Sequence, residues 1–300
     1  MTGRLAPLVP LACGALALLA ARLDARAADP AALAQLLLLP GDRAAVRYTP
    51  GSLDRAAHVQ ARLAALADDF AAWGGGPSTL RALVLSPEDW QAAGLRRPYG
   101  LAERTPNGDV AAPAWGSEET VALWRALTGA PLAWEGGLPV RGTPEEAASL
   151  ALADLVLQVE CGRLYVEGGG AGGPGGLGGE TPWVTGLAAH VVALAAMLRH
   201  EPARLPRSAE FWGQLAGDPG ARPHGALAAA AAAADDLPVR EWLAHQAQLH
   251  AGARVIVERD GAKSVKRLLA LKRSQGRLTA AALLGRYPEL GPWLRAAGGV

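Results

Sequence analysis

Cysteine is nearly absent from this chain of 300 residues, occurring only at Cys13 and Cys161. A disulfide framework of the kind that staples small secreted domains is excluded once Cys13 leaves with the leader described below, so stability has to come from packing. An excess of positive charge is missing too. The formal net charge is +1, and nothing in that balance offers the basic face that a nucleic-acid partner requires. Lysine is scarce beside arginine, while alanine, glycine, leucine and proline are abundant, which reflects coding composition more than an activity. No Gly-x-Ser-x-Gly, no Ser-x-x-Lys and no paired carboxylates stand out, so hydrolase classes built on those signatures have no support. No period marks internal repeats. What the chain does have is apolar mass: half of its residues are hydrophobic, enough for a sizeable core.

The first stretch reads as an export signal over residues 1–27. Arg4 supplies a short positive region, Leu5 to Ala21 an apolar one, and Ala25-Arg26-Ala27 an A-x-A cleavage site. The expectation is a mature chain in the periplasm or outside the cell, with no stable transmembrane span after cleavage. Lipoprotein processing at Cys13 fits less well, because the apolar run continues past it; an uncleaved membrane anchor is the other alternative.

Residues 28–142 read as a small α/β subdomain. A short helix or leader ends in Leu36-Leu37-Leu38-Leu39-Pro40, strands are expected over Arg43 to Tyr48 and Leu80 to Leu85, and a helix over Leu53 to Trp73. Ser86-Pro87-Glu88-Asp89 starts another helix with an N-cap, a proline and an acidic first turn. Val110 to Ala114 is a short strand whose Pro113 favours an edge position. Residues 143–300 read as mostly helical, and the fold class expected for the whole is α+β. Helices are expected over Trp183 to Arg199, Ala226 to Asp236, Pro238 to Ala251, Gly261 to Arg273 and Thr279 to Leu294. The glycine-dense stretch Gly168 to Gly179 matches G-x-G-x-x-G literally, but it follows a helix and lacks Gly-Lys-Ser/Thr, so it reads as a flexible connection.

The chain is organised around the helix from Pro144 to Tyr165. Thr143-Pro144-Glu145-Glu146 is a start signal that combines an N-cap, a first-position proline and a capping-box glutamate. Leu150, Leu152, Leu155, Val156, Leu157 and Val159 leave almost no polar face, as in a helix buried on most sides. Near its end, Val159-Glu160-Cys161-Gly162-Arg163 has the length and setting of H-E-x-x-H, the pattern that holds zinc by two histidines on one helical face and activates water with the glutamate. With Leu164-Tyr165 behind it and the Trp183-led helix further on, this order of elements resembles the gluzincin metallopeptidases, in particular the secreted bacterial proteins described as peptidase MA-like. The resemblance covers the chain from Tyr48 onward in element order.

The resemblance places the two histidine positions on Val159 and Arg163, the general base on Glu160, and the third ligand on Gly186 or, with a one-residue shift, Thr185. Catalytic zinc needs three donors and an open position. Val159 and Gly186 have no side-chain lone pair, and Arg163 stays positively charged. The expectation is an exported, non-catalytic homologue without a zinc cofactor. It would bind a peptide or protein partner in the cleft between subdomains, with Arg163 at the site and Val110 and Ala112 on an edge strand acting as a docking rail. The competing reading is an active metal-dependent peptidase or hydrolase with relocated ligands. Plainer roles are also open: Glu160, Arg163 and Glu167 as a charged stripe in which Arg163 takes the space and charge of the missing zinc and Glu160 neutralises it, the structural role favoured for both residues, Cys161 as a small buried hydrophobe, and Lys263, Lys266, Arg267, Lys272, Arg273 and Arg277 as a solvated helix face.

Overall fold

Alternation of side chains along three short strands builds a core on each face of the N-terminal sheet. Leu80, Ala82 and Val84 face one way and join a large cluster; Leu83 and Leu85 face the other way and join a smaller one with Leu36, Trp90 and Ala111. The computed structural model describes residues 30–128, 143–167, 177, 179–216, 227–233 and 237–298. The expected export signal, nearly all of the glycine-dense stretch and the ends of the expected alanine-rich helix lie outside the described residues.

The sheet has five strands in the order β1-β2-β3-β5-β4. They are β1 Leu37–Leu39, β2 Ala44–Tyr48, β3 Leu80–Leu85, β4 Glu103–Arg104 and β5 Val110–Pro113. The three central strands run parallel, with Val46 opposite Ala82 and Ala82 opposite Val110, while β1 and β4 pair antiparallel at the two edges. Helix α1, Pro30–Ala34, and helix α3, Pro87–Ala92, belong to the smaller core; α2, Leu53–Trp73, packs on the larger-core side. The Ser86 cap forms as expected, its Oγ accepting from Asp89 N at 3.1 Å.

Two sequence expectations about this sheet fail. Leu37–Leu39 is a strand and not the tail of a leader, because it finds a partner in β2. The segment Val110 to Ala114 is not an edge: β4 covers Val110 and Ala111, and the proline sits at the strand end where its missing N–H costs nothing. Val110 and Ala112 are fully buried, so they offer no docking rail.

The α+β class holds. Beyond the sheet come α4 Glu118–Thr128, α5 Pro144–Glu167, α6 Pro182–His200, α7 Leu205–Ala216, α8 Leu227–Ala232, α9 Val239–Asp260, α10 Ser264–Gln275, α11 Ala280–Arg286 and α12 Leu290–Ala296. The capping box of α5 closes reciprocally: Thr143 N donates to Glu146 Oε2 at 2.6 Å and Glu146 N donates to Thr143 Oγ1 at 3.2 Å. Helix α9 runs well past the expected end at Ala251 and stops at Gly261, whose φ of 57° suits only glycine. The last expected helix breaks in two at Tyr287-Pro288. α4 and α7 have no counterpart among the helices expected from sequence.

Helices α5 and α6 form the centre. α6 is long and apolar enough to cross a membrane, yet 78% of its most apolar window is buried inside the fold, as a core helix requires. The two helices cross so closely at Gly162 that an added Cβ would lie 2.4 Å from the Ala189 carbonyl oxygen. Cys161 is fully buried beside this crossing, and burial pushes its thiol far up.

Because α5 is buried all round, its carboxylates need partners from other elements. Asp154 is fully buried and forms ion pairs with Arg55, Nη2 to Oδ1 at 2.7 Å, and Arg62, Nη1 to Oδ2 at 2.9 Å, with His58 Nε2 3.1 Å from Oδ2, all three partners being on α2. Arg62 continues to Glu201 after α6, with Nε to Oε1 at 3.0 Å, so one chain of charges ties three helical segments. Burial alone would raise the Asp154 carboxyl, but Arg55 and Arg62 outweigh it and hold it well below the usual carboxylate range. Asp154→Ala leaves the buried Arg55 guanidinium without its anion and Arg62 with Glu201 alone, and the expected cost is about 3–5 kcal/mol. Asp68→Ala breaks only the exposed pair with Arg43 and is expected to cost less than about 0.5 kcal/mol. Urea denaturation of the two variants checks the contrast; similar midpoints would contradict it.

Candidate functional site

The end of α5 delivers Glu160, Arg163 and Glu167 to the place where the helix meets the loop before β4, the start of α6 and the middle of α9. Glu160 is only 2% exposed, and its partner is not Arg163. Arg97, from the turn after α3, places Nη1 2.9 Å from Glu160 Oε1 while its guanidinium stacks 3.9 Å over the Trp242 ring of α9. Glu167 pairs with Arg104 of β4. The expected neutralisation of Glu160 by Arg163 within the helix is thus corrected. Segment 97–104 lies against α5 and supplies both hydrogen-bonded cations, and Arg163 adds only its field. Burial raises the Glu160 carboxyl, Arg97 and then Arg163 lower it, and the balance is a carboxyl below its usual range.

Arg163 instead lines a cavity of about 410 Å³. Its walls are Arg104 of β4, Arg163 and Glu167 of α5, Gly179 to Pro182 with Thr185 and Gly186 at the start of α6, Ala231 and Ala232 of α8, and His245 and Leu249 of α9. By exposure the cavity is layered. Gly186, Ala231, His245 and Leu249 are buried at the floor; Arg104, Arg163, Thr181 and Thr185 are half-buried; Glu167, Glu180, Pro182 and Ala232 are exposed at the mouth. The Nε of Arg163 is buried with no hydrogen-bond partner among the described residues.

Three of the positions singled out by the resemblance therefore share one cavity: Arg163, Gly186 and Thr185. Val159 and Glu160 are buried and do not line it, and Val110 and Ala112 are inside the sheet. A zinc ion does not fit these residues. Val159 brings no donor, Arg163 brings a positive charge, and at Gly186 even an added Cβ would lie 2.7 Å from Leu249 Cδ1. Among the described residues no three of His, Cys, Asp or Glu are grouped so as to hold a metal ion.

Behind the floor lies a buried histidine cluster that sequence reasoning left scattered. His190 of α6 contacts Gln246 Oε1 through Nε2 at 3.1 Å, and its ring stands edge-on to His250 and Trp212, while His250 stacks on Trp212. His190 Nδ1, His245 Nδ1 and His250 Nε2 have no partner among the described residues. Burial lowers all three below their ordinary range, His190 to about 3 and His245 to about 4, with Arg163 pushing both further down; His190 and Arg254 do the same to His250. The helical spacing of His245 and His250 does point them apart, one to the cavity and one to Trp212, but both stay inside because α9 is surrounded. No signal in the sequence marked Arg97, which sits in a turn-rich piece before Pro98.

Two outcomes follow from this geometry. Arg97→Ala strands Glu160 and is expected to cost about 3–5 kcal/mol by denaturant titration, with Arg163→Ala costing clearly less; the reverse order would restore the intrahelical pairing. The unfolded chain takes up protons on these histidines below about pH 6.5 while the folded chain does not, so the stabilisation is complete above that pH and is lost as pH falls toward the lowered folded values. The expected loss is on the order of 1 kcal/mol per histidine by about pH 5.5. A melting-temperature profile should fall through this window and fall less in His250→Phe; a flat profile would contradict the burial of neutral rings. Comparison with protein-family models, with curated proteins and with solved structures finds no match to this chain.

Proposed function

We propose that the chain is an exported, non-catalytic relative of the gluzincin metallopeptidases that binds a peptide or the end of a protein partner in the cavity between β4 and helices α5, α6, α8 and α9. One observation carries this reading: Arg163 and Gly186, the positions where the resemblance would put a histidine and the third zinc ligand, line a single cavity that is open at its mouth and closed at its floor. A binding role suits the residues there. The cavity joins a half-buried cation, two hydroxyls and an apolar floor, a mixture that orients a ligand without supplying a nucleophile and base in contact. It also lies where the sheet side, through Arg104, meets the helices.

The experiment is a peptide array probed with the full chain and with Ala232→Trp. Ala232 is exposed at the mouth of the cavity, so the indole should fill the opening without disturbing the core. Saturable binding by the native chain that weakens at least about tenfold in Ala232→Trp, at unchanged melting temperature, is the expected result. Absence of saturable binding, or binding indifferent to the tryptophan, would remove this function from the cavity.

A further inference from the structure

We infer that the cavity seats the C-terminal carboxylate of a peptide, with Arg163 as its counter-charge and the last side chain against the floor formed by Gly186, Ala231 and Leu249. The inference rests on the peptide-binding reading above and names the end of the peptide that is recognised.

Three features converge on this assignment. Helix α6 is 19 residues long and begins at the cavity with Thr181 as its N-cap, but no side-chain cap bond is made, and Thr181 Oγ1 is buried without a partner. The first helical residue, Pro182, has no N–H and Thr185 N donates to Thr181 O, so this end of α6 brings hydroxyls rather than free amides to the cavity. Arg163 stands on the opposite wall with its Nε orphaned, and its planar fork matches a carboxylate better than an ammonium would. His245, 1% exposed, lines the same cavity with Nδ1 unpartnered. Buried polar atoms are seldom left unpaired, and three of the residues that line this cavity carry one.

The acidic groups set the ligand class. Glu167 is held by Arg104, and Glu180 is exposed at the mouth. Two carboxylates at the entrance disfavour a doubly charged phosphate, while a singly charged carboxylate carried in at the end of a chain can reach Arg163 with its uncharged backbone passing the glutamates. Below the half-buried layer Gly186, Ala231 and Leu249 leave an apolar floor that fits a small or medium aliphatic side chain.

The test uses labelled hexapeptide mixtures ending in alanine, valine or leucine, each prepared as free acid and as C-terminal amide, titrated into the full chain by fluorescence anisotropy. The free acids should bind about tenfold or more tightly than the amides, the strength of a charge-assisted contact to a half-buried guanidinium. Arg163→Gln should remove that difference, and Arg163→Lys should keep some of it, with both variants checked for an unchanged melting temperature. Equal binding of acid and amide would overturn the assignment while leaving peptide binding intact. Equal preference for the acid in Arg163→Gln would overturn the role of Arg163. No binding of either form would remove the peptide reading and this inference together.

Discussion

A carboxylate taken out of water without its counter-charge is among the most costly things a fold can contain, and α5 carries two of them. Asp154 and Glu160 both lie on a helix that is covered on every side, so each forces another element into place: Arg55, His58 and Arg62 bring α2 onto α5, and Arg97 brings the turn before β4. The apolar contacts of the large core stabilise the assembly in bulk, but they are not directional. It is the two buried acids that fix which face of α2 and which turn before β4 meet the central helix.

Arg163 marks where this matching stops. It is on the same helix and one turn beyond Glu160, yet Arg97 has already taken the carboxylate, and no other described acid engages its guanidinium. The cavity exists beside this unmatched cation because several small residues meet there: Gly179, Gly186, Ala231 and Ala232 remove side-chain volume from a junction of four helices and a strand. A larger residue at Gly186 would close the floor against Leu249. Charge left over and volume left empty coincide, and that coincidence separates this place from the well-paired remainder of the molecule.

How much of this was legible in the sequence depends on the range of the interaction. Signals that act within a few residues came through: the Thr143–Glu146 box, the Ser86 and Thr279 caps, and the strands and long helices bounded by glycine and proline. The proline in β5 misled, since it argues for an edge only where the N–H would otherwise pair, and at the end of the strand it need not. Pairings across many residues were not legible. Arg97 to Glu160 spans 63 positions and His58 to Asp154 spans 96, and nothing local announces either. For the same reason the helix-internal pairing of Glu160 with Arg163 looked attractive in sequence and lost to a better-placed cation in space. Nothing local announces that Arg163, Gly186 and His245 line one cavity, since they come from three different helices.

Cys161 is the one cysteine among the described residues, and it sits in the α5–α6 crossing with no exposed surface. Reagents that alkylate thiols require the thiolate and access to it, and this position withholds both while the helices are together. Its reactivity is therefore a clock for separation of the two central helices: the rate of labelling reads the population of the opened state, independent of any ligand, dye or engineered probe.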